Sequence, residues 1–358
     1  MQSCKLILTW VVLSFVLILS SCKNDDEIKE EEIIPGPTTT EIEQANVGLV
    51  ENFYNTLINN RDSVALISLM ATDFFDNDAM PGHVQTNQGK ISQMMGFFGT
   101  FPNATVNTEN DQQYIPMGKY VAVYSDFNWS IDGPVFFGIT PTGQSITMSA
   151  FDIWEIENNQ LQQVWHTEDF LGVLAFQLVK QFCGGGTPFY FNRTATTNFP
   201  TSTGQVPNPN YNELSDTEKD NLTLVKKHYN DMLVAGDFAE ARTNLSDNFV
   251  DHNAFPGEVG PDDELTFIQG VFMSFPDFAV SDPSHQWFIV KDNLVISHMV
   301  IDMPYNGAQP FMGIPVSNTN VSFVATDMWK VENGKIVELW HVENMVDVAF
   351  QAGGVICP

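Results

Sequence analysis

The chain says nearly the same thing twice, and this constrains its fold more than any other feature. "FFDNDAMPG" at Phe74 to Gly82 returns as "FVDHNAFPG" at Phe249 to Gly257, and "FFGI" at Phe136 to Ile139 returns as "FMGI" at Phe311 to Ile314. "FDIWEIENNQLQQVWHTED" at Phe151 to Asp169 returns as "TDMWKVENGKIVELWHVEN" at Thr326 to Asn344. Tyr54 and Tyr229, Pro81 and Pro256, and Trp165 and Trp340 are all 175 residues apart. A constant offset of that length is too long for a solenoid or propeller blade and describes two copies of one small domain.

The N-terminus reads as a processing signal. Lys5 precedes an apolar run from Leu6 to Leu19, and Leu19-Ser20-Ser21-Cys22 follows. A basic start, a short apolar core and small residues before the cut describe a bacterial secretory signal. The run is short for a full membrane span, which is the competing reading. The segment around Cys22 resembles the lipobox of bacterial lipoproteins, which implies acylation of that cysteine. The acidic "KNDDEIKEEE" behind it resembles the surface-export signal of Bacteroidetes lipoproteins. The expected home is the outer membrane, held by lipid alone, with the domains outside the cell. Residues 1–21 are then signal, and 22–45 a charged tether that cannot bury a core. Residues 46–182 are the first domain, 183–216 a Gly-, Pro-, Thr- and Asn-rich linker, and 217–358 the second domain.

Fifteen basic residues against 44 acidic ones leave a net charge of −29. With no basic patch, nucleic-acid binding is excluded. Cys183 and Cys357 occupy nearly equivalent positions at the ends of the two copies. A disulfide joining them is one reading outside the cytoplasm, and two buried thiols the other.

Each copy opens with an apolar helical stripe: Val50, Phe53, Tyr54 and Leu57 in one, Val225, His228, Tyr229 and Met232 in the other. A short second helix is expected after the N-cap residues Asp62 and Asp237, and a third over Gln88 to Phe98 and Asp262 to Met273. Strands are expected at Tyr120 to Ser125, Ile146 to Ile156 and Leu161 to Glu168, with counterparts in the second copy, and a short apolar helix from Phe170 or Met345 closes each unit. Helices first and an antiparallel sheet after make an α+β domain.

Asn333-Gly334, with Asn158-Asn159 as its counterpart, predicts a two-residue hairpin turn. An uninterrupted ladder from that turn sets Asp327 opposite Trp340, Trp329 opposite Glu338 and Thr326 opposite His341. Asp327, Trp329, Glu338 and Trp340 then share one face, as do Asp152, Trp154, Gln163 and Trp165. His341 with Glu343, and His166 with Glu168, take the other. An aspartate among tryptophans is a carboxylate whose pKa rises, as general acid/base chemistry near neutrality requires. The bland reading is a buried carboxylate holding an indole or backbone N–H.

These residues in this order resemble the SnoaL-like polyketide cyclase family of the nuclear transport factor 2-like superfamily. The resemblance lies in Phe53-Tyr54, Phe74 to Gly82, Phe101-Pro102, Gly138-Ile139, Asp152 to Trp165 and the segment after Phe170, all repeated. It implies two cone domains, each a curved antiparallel sheet wrapped by helices around one apolar pocket. It further implies aldol-type cyclase, isomerase or hydrolase chemistry on a small hydrophobic carbonyl compound, with no cofactor and no metal. In that pattern an acidic residue commonly follows the last-strand tryptophan. Here histidine stands there twice, as His166 and His341, so cyclase activity is not carried over intact.

The candidate catalytic residues are Asp152, Asp327, His166, His341 and Asp169. Asp169 becomes Asn344 in the second copy, an exchange that preserves helix capping and abolishes acid/base function, so capping is the first reading. Tyr54, Asn77, Trp154, Trp165, Tyr229, His252, Trp329, Glu338, Trp340 and Asn344 are candidate ligand contacts. Core packing is the default for the tyrosines and loop formation for Asn77 and His252. His341 and Glu343, two apart on a strand, are spaced like metal ligands, but two ligands do not make a site. A binding protein without chemistry, and a fused pseudo-dimer packed through its sheets, are the alternatives to an enzyme.

Overall fold

The computed structural model describes residues 39–79, 84–106, 112–130, 143, 145–169, 189–190, 207–254, 260–277, 286–311, 316–344, 348, 351–352 and 355–356. Cys22, Cys183, Cys357 and the expected closing helices lie outside these residues, apart from helical positions at 348 and 351–352. No described helix is long and apolar enough to cross a membrane.

The first domain runs α1 (Thr39–Tyr54), α2 (Ser63–Leu69), β1 (Met70–Asp76), α3 (Asn87–Thr100), β2 (Gln112–Met117), β3 (Tyr120–Ser130), β4 (Ser145–Glu157) and β5 (Gln160–Glu168). A two-residue strand β6 (Phe189–Tyr190) follows. The second domain repeats the order: α4 (Asp216–Tyr229), α5 (Phe238–Asn244), β7 (Leu245–Asp251), α6 (Pro261–Ser274), β8 (Gln286–Lys291), β9 (Leu294–Pro304), β10 (Asn320–Glu332) and β11 (Lys335–Glu343). A short β12 (Val355–Ile356) pairs with β6 inside the expected linker. α1 starts at Thr39, ahead of the expected domain boundary at 46, and buries Glu43 and Asn46.

Each domain holds one five-stranded sheet, in the orders β1-β5-β4-β3-β2 and β7-β11-β10-β9-β8. Four strands of each are antiparallel, as expected. The outer strands β1 and β7 run parallel to β5 and β11, so the sheets are mixed. Those outer strands hold the repeated "FFD" and "FVD", which carry too little alternation to announce a strand.

Local chemistry explains the element ends. Asp62 accepts from the backbone N–H groups of Val64 and Ala65, and Asp237 from that of Glu240. Ser215 and Glu218 close a capping box at the start of α4, which ends in Lys226, Lys227 and His228 where cations suit the helix dipole. Both opening helices pass into a π-helical turn directly after the tyrosine, at Asn55–Asn60 and Asn230–Val234. The wider turn re-aims the residues around Tyr54 and Tyr229, a device frequent at functional sites. Asn158, Asn159, Asn333 and Gly334 all have positive φ, the backbone of the predicted hairpin turn.

The ladder beyond those turns is not uninterrupted. Lys330 pairs with Glu338 but Val331 with Ile336, leaving Val337 as an extra residue. The same bulge leaves Gln162 extra between the Glu155–Gln163 and Ile156–Leu161 pairs. One extra residue exchanges the faces of everything beyond it. Asp327 therefore pairs with His341, Met328 with Trp340 and Trp329 with Leu339, and in the first domain Asp152 pairs with His166.

Both faces of each sheet are consequently covered. One face packs on its own helices, with Trp154 and Trp329 each 1% exposed. The other faces meet the second sheet: Thr167 Oγ1 lies 2.7 Å from Thr326 Oγ1, and Trp165 packs on Trp287 at 5.1 Å. Lys291 Nζ reaches Glu43 of α1 at 2.7 Å, and the Val290 N–H donates to Met117 Sδ at 3.3 Å.

Candidate functional site

In the second domain the helices and one face of the sheet line a cavity of about 70 Å³. Its walls are mostly apolar, among them Met232, Leu233, Phe267, Ile268, Val271 and Phe323. The polar groups facing it converge from four elements: Tyr229 from α4, Glu264 from α6, Asp327 from β10, and His341 and Glu343 from β11.

Trp329 Nε1 donates to the Tyr229 hydroxyl at 2.7 Å, and that hydroxyl donates in turn to Asp327 Oδ2. The first domain repeats the relay: Trp154 Nε1 donates to Tyr54 at 3.2 Å, and Tyr54 to Asp152 Oδ2. Burial pushes the Asp327 carboxyl up to about 7, with the nearby Glu343 adding to the effect, while His341 and the Tyr229 hydroxyl oppose it. Burial and the adjacent aspartate hold both tyrosines well above the ordinary phenol range.

His341 is clasped between two carboxylates, Nδ1 at 2.7 Å from Glu343 and Nε2 at 3.1 Å from Asp251. Burial lowers its pKa, but Glu343 and Asp251 win and hold it well above the ordinary imidazole value. In the first domain His166 Nε2 lies 3.4 Å from Asp76, and Lys90 Nζ comes to 3.3 Å from the same carboxyl. Burial would raise Asp76, but Lys90 and His166 bring it down to about 2. Burial and Lys90 oppose protonation of His166, yet Asp76 and Glu168 raise it to about 9.

The bulge corrects the expected faces. His341 and Glu343 stand beside Asp327 in the cavity wall, while Trp165, Glu338 and Trp340 turn away from it. Trp340 stacks on His252 at 4.2 Å, and Glu338 bonds His252 and Lys330. Asn77 is buried, donating to the Val164 carbonyl at 3.1 Å, and its counterpart His252 donates its backbone N–H to the Leu339 carbonyl. Asp169 and Asn344 end their strands with N–H bonds to Ser149 and Val324, and the helices they would cap lie outside the described residues. Asp76, Asp251, Lys90 and Glu264 are site residues that sequence reasoning missed. The recurrence of Asp76 and Asp251 at the repeat offset was the available signal.

The SnoaL-like polyketide cyclase family model matches residues 48–177 and again 223–352. The chain belongs to this family, twice over. Comparison with curated proteins found no match. Among solved structures, TsrD from Streptomyces laurentii is similar at 20% identity and TM-score 0.33, over 39% of this chain and 98% of its own. A SnoaL-like polyketide cyclase from Agrobacterium tumefaciens is similar at 12% identity and TM-score 0.30, over 36% of this chain and 94% of its own. The family rests on the two matched segments, and the α+β fold on the two five-stranded sheets and their helices described above.

Proposed function

We propose that the protein performs cofactor-independent acid/base chemistry of the aldol, isomerase or hydrolase type on a small hydrophobic carbonyl compound, with Asp327 as the proton carrier. The observation that carries this reading is the Asp327 carboxyl itself: buried in an apolar cavity, oriented by the Tyr229 hydroxyl, and pushed up to about 7. A carboxylate poised near neutrality takes and returns protons with little penalty either way.

As a carboxylate, Asp327 takes a proton from the carbon next to the substrate carbonyl. The electron pair moves onto the carbonyl oxygen, where the protonated His341 supports the developing negative charge. The enolate then closes on a second carbonyl or is reprotonated at another carbon, and Asp327 returns the proton. Internal space of about 70 Å³ favours a compact compound, since engineered cavities of about 150 Å³ hold one benzene. In the first domain Lys90 adds a buried ammonium beside Asp76.

The lipobox-like sequence supports attachment by lipid on Cys22, with both domains facing outward from the outer membrane. Contacts such as Thr167–Thr326 and Lys291–Glu43 support a pseudo-dimer made within one chain. The test is a thermal-shift screen against compact hydrophobic ketones and epoxides, with hits followed for conversion by mass spectrometry. Conversion that Asp327→Asn abolishes supports the reading. Binding with no conversion by any hit would leave a capture protein instead.

A further inference from the structure

The two domains solve the same electrostatic problem differently. Asp76 and Asp251 are equivalent aspartates, and each is met by the ring Nε2 of an equivalent histidine, at 3.4 Å from His166 and 3.1 Å from His341. In the first domain a cation completes the cluster: Lys90 Nζ lies 3.3 Å from Asp76, with both side chains at most 3% exposed. In the second, the residue equivalent to Lys90 is Leu265. Its neighbour on α6, Glu264, is 6% exposed and brings another carboxyl into the cluster instead. Ligand atoms of Asp251, Glu264 and His341 all lie within 4.8 Å of one another.

We infer that the second domain binds a first-row divalent cation, of which Zn²⁺ and Mn²⁺ are the probes, through Asp251, Glu264 and His341 Nε2, where the first domain holds the Lys90 ammonium. Two carboxylates and an imidazole are a donor set for such ions, and three protein ligands leave room for water or substrate oxygen. The other ring nitrogen, Nδ1, lies 2.7 Å from Glu343. A carboxylate on the far nitrogen is the partner that fixes the tautomer and orientation of a metal-ligating histidine. Charge argues the same way. Asp251, Glu264 and Glu343 surround a single imidazole, and buried carboxylates persist when paired or when they coordinate metal. His341 and Glu343, two apart on one strand, were too few to suggest a site from sequence; Asp251 of β7 and Glu264 of α6 are brought to His341 only by the fold. Asp327 is not among the ligands but His341 is, and an Nε2 that binds a metal carries no proton, so an occupied site takes the place of the protonated His341 in the proposed reaction.

The test uses the untagged full-length protein, stripped with chelator and titrated calorimetrically with Zn²⁺ and Mn²⁺. One ion per chain is expected. Glu264→Gln should weaken binding by about 10–100-fold. Leu265→Lys, which copies the first domain's ammonium into the second, should abolish binding while circular dichroism and Tm stay near those of the parent. Absence of saturable binding below about 1 mM would overturn the inference. So would parental affinity in Glu264→Gln, which changes no volume and so reads the site even if Leu265→Lys fails to fold.

Discussion

Asp327 faces His341 across the β10–β11 ladder because Val337 bulges out of it. Without that one residue Asp327 would face Trp340, and the histidine would stand on the far side of the sheet. The pairing brings a carboxyl raised to about 7 and an imidazole held protonated into one cavity.

Removal of the proton carrier should stop turnover while keeping the fold. Asp327→Asn is expected to lower kcat by about 10²–10⁴-fold. Tyr229→Phe removes a hydroxyl that stabilises the Asp327 carboxylate. The acidic limb of the pH–rate profile should therefore move to higher pH in that variant, and steady-state kinetics on any substrate found would show it. An unmoved limb would dissociate Asp327 from the rate.

Lys90 neutralises a buried aspartate, so its loss leaves Asp76 with His166 alone. Lys90→Met is expected to destabilise the first domain by about 3 kcal/mol, read as a lower urea midpoint for the less stable transition. A midpoint within error of the parent would mean that Asp76 does not depend on the ammonium.

Two buried groups of the first domain should each lose a stabilising contribution as pH rises. The folded Asp78 carboxyl sits at about 7 against an ordinary 3.8, burial being the main cause. The folded chain therefore holds a proton that the unfolded chain has lost, and stability declines as pH rises from about 4 to 7. The His166 imidazolium is raised from 6.5 to about 9, so its contribution is complete below 6.5 and lost as pH rises to about 9. The Asp76 contribution is present above 3.8 and lost toward about 2. Asp78→Asn copies Asn253, which accepts the His341 N–H as Asp78 accepts that of His166. It should gain ~1–3 kcal/mol at pH 8 and less at pH 5, and thermal melts across that range decide it.

Thr326 accepts or donates at 2.7 Å to Thr167 and lies 2.9 Å from His298 Nδ1, all buried between the sheets. Thr326→Val keeps the shape and strands both partners, at a cost of about 1–3 kcal/mol. Adding Thr167→Val should cost less than the sum of the single changes, since the second removes a group already left unpaired. Strict additivity in denaturant melts would argue against the bond.

Much of the fold was legible because its signals are local. The repeat offset, the stripes around Tyr54 and Tyr229, the caps at Asp62 and Asp237 and the Asn333-Gly334 turn all act within a few residues, and each stands where the sequence sets it. The site was legible only in part. Asp327, Tyr229 and His341 were named, but Trp165, Glu338 and Trp340 were given the wrong side. Alternation normally tells the faces of a strand apart, yet here each sheet is buried on both, so both faces are apolar and the bulge leaves no trace in the pattern.

By itself the sequence determined a duplicated α+β chain, its helix starts, its hairpin turns and its family. Tertiary structure alone decided which face each side chain takes, that β1 and β7 join the sheets in parallel, and that Lys90 meets Asp76 while Glu264 meets Asp251. Those relations depend on register and on residues distant in the chain. Neither is set by local backbone preference; both are set by how the buried faces fit once the chain has closed on itself.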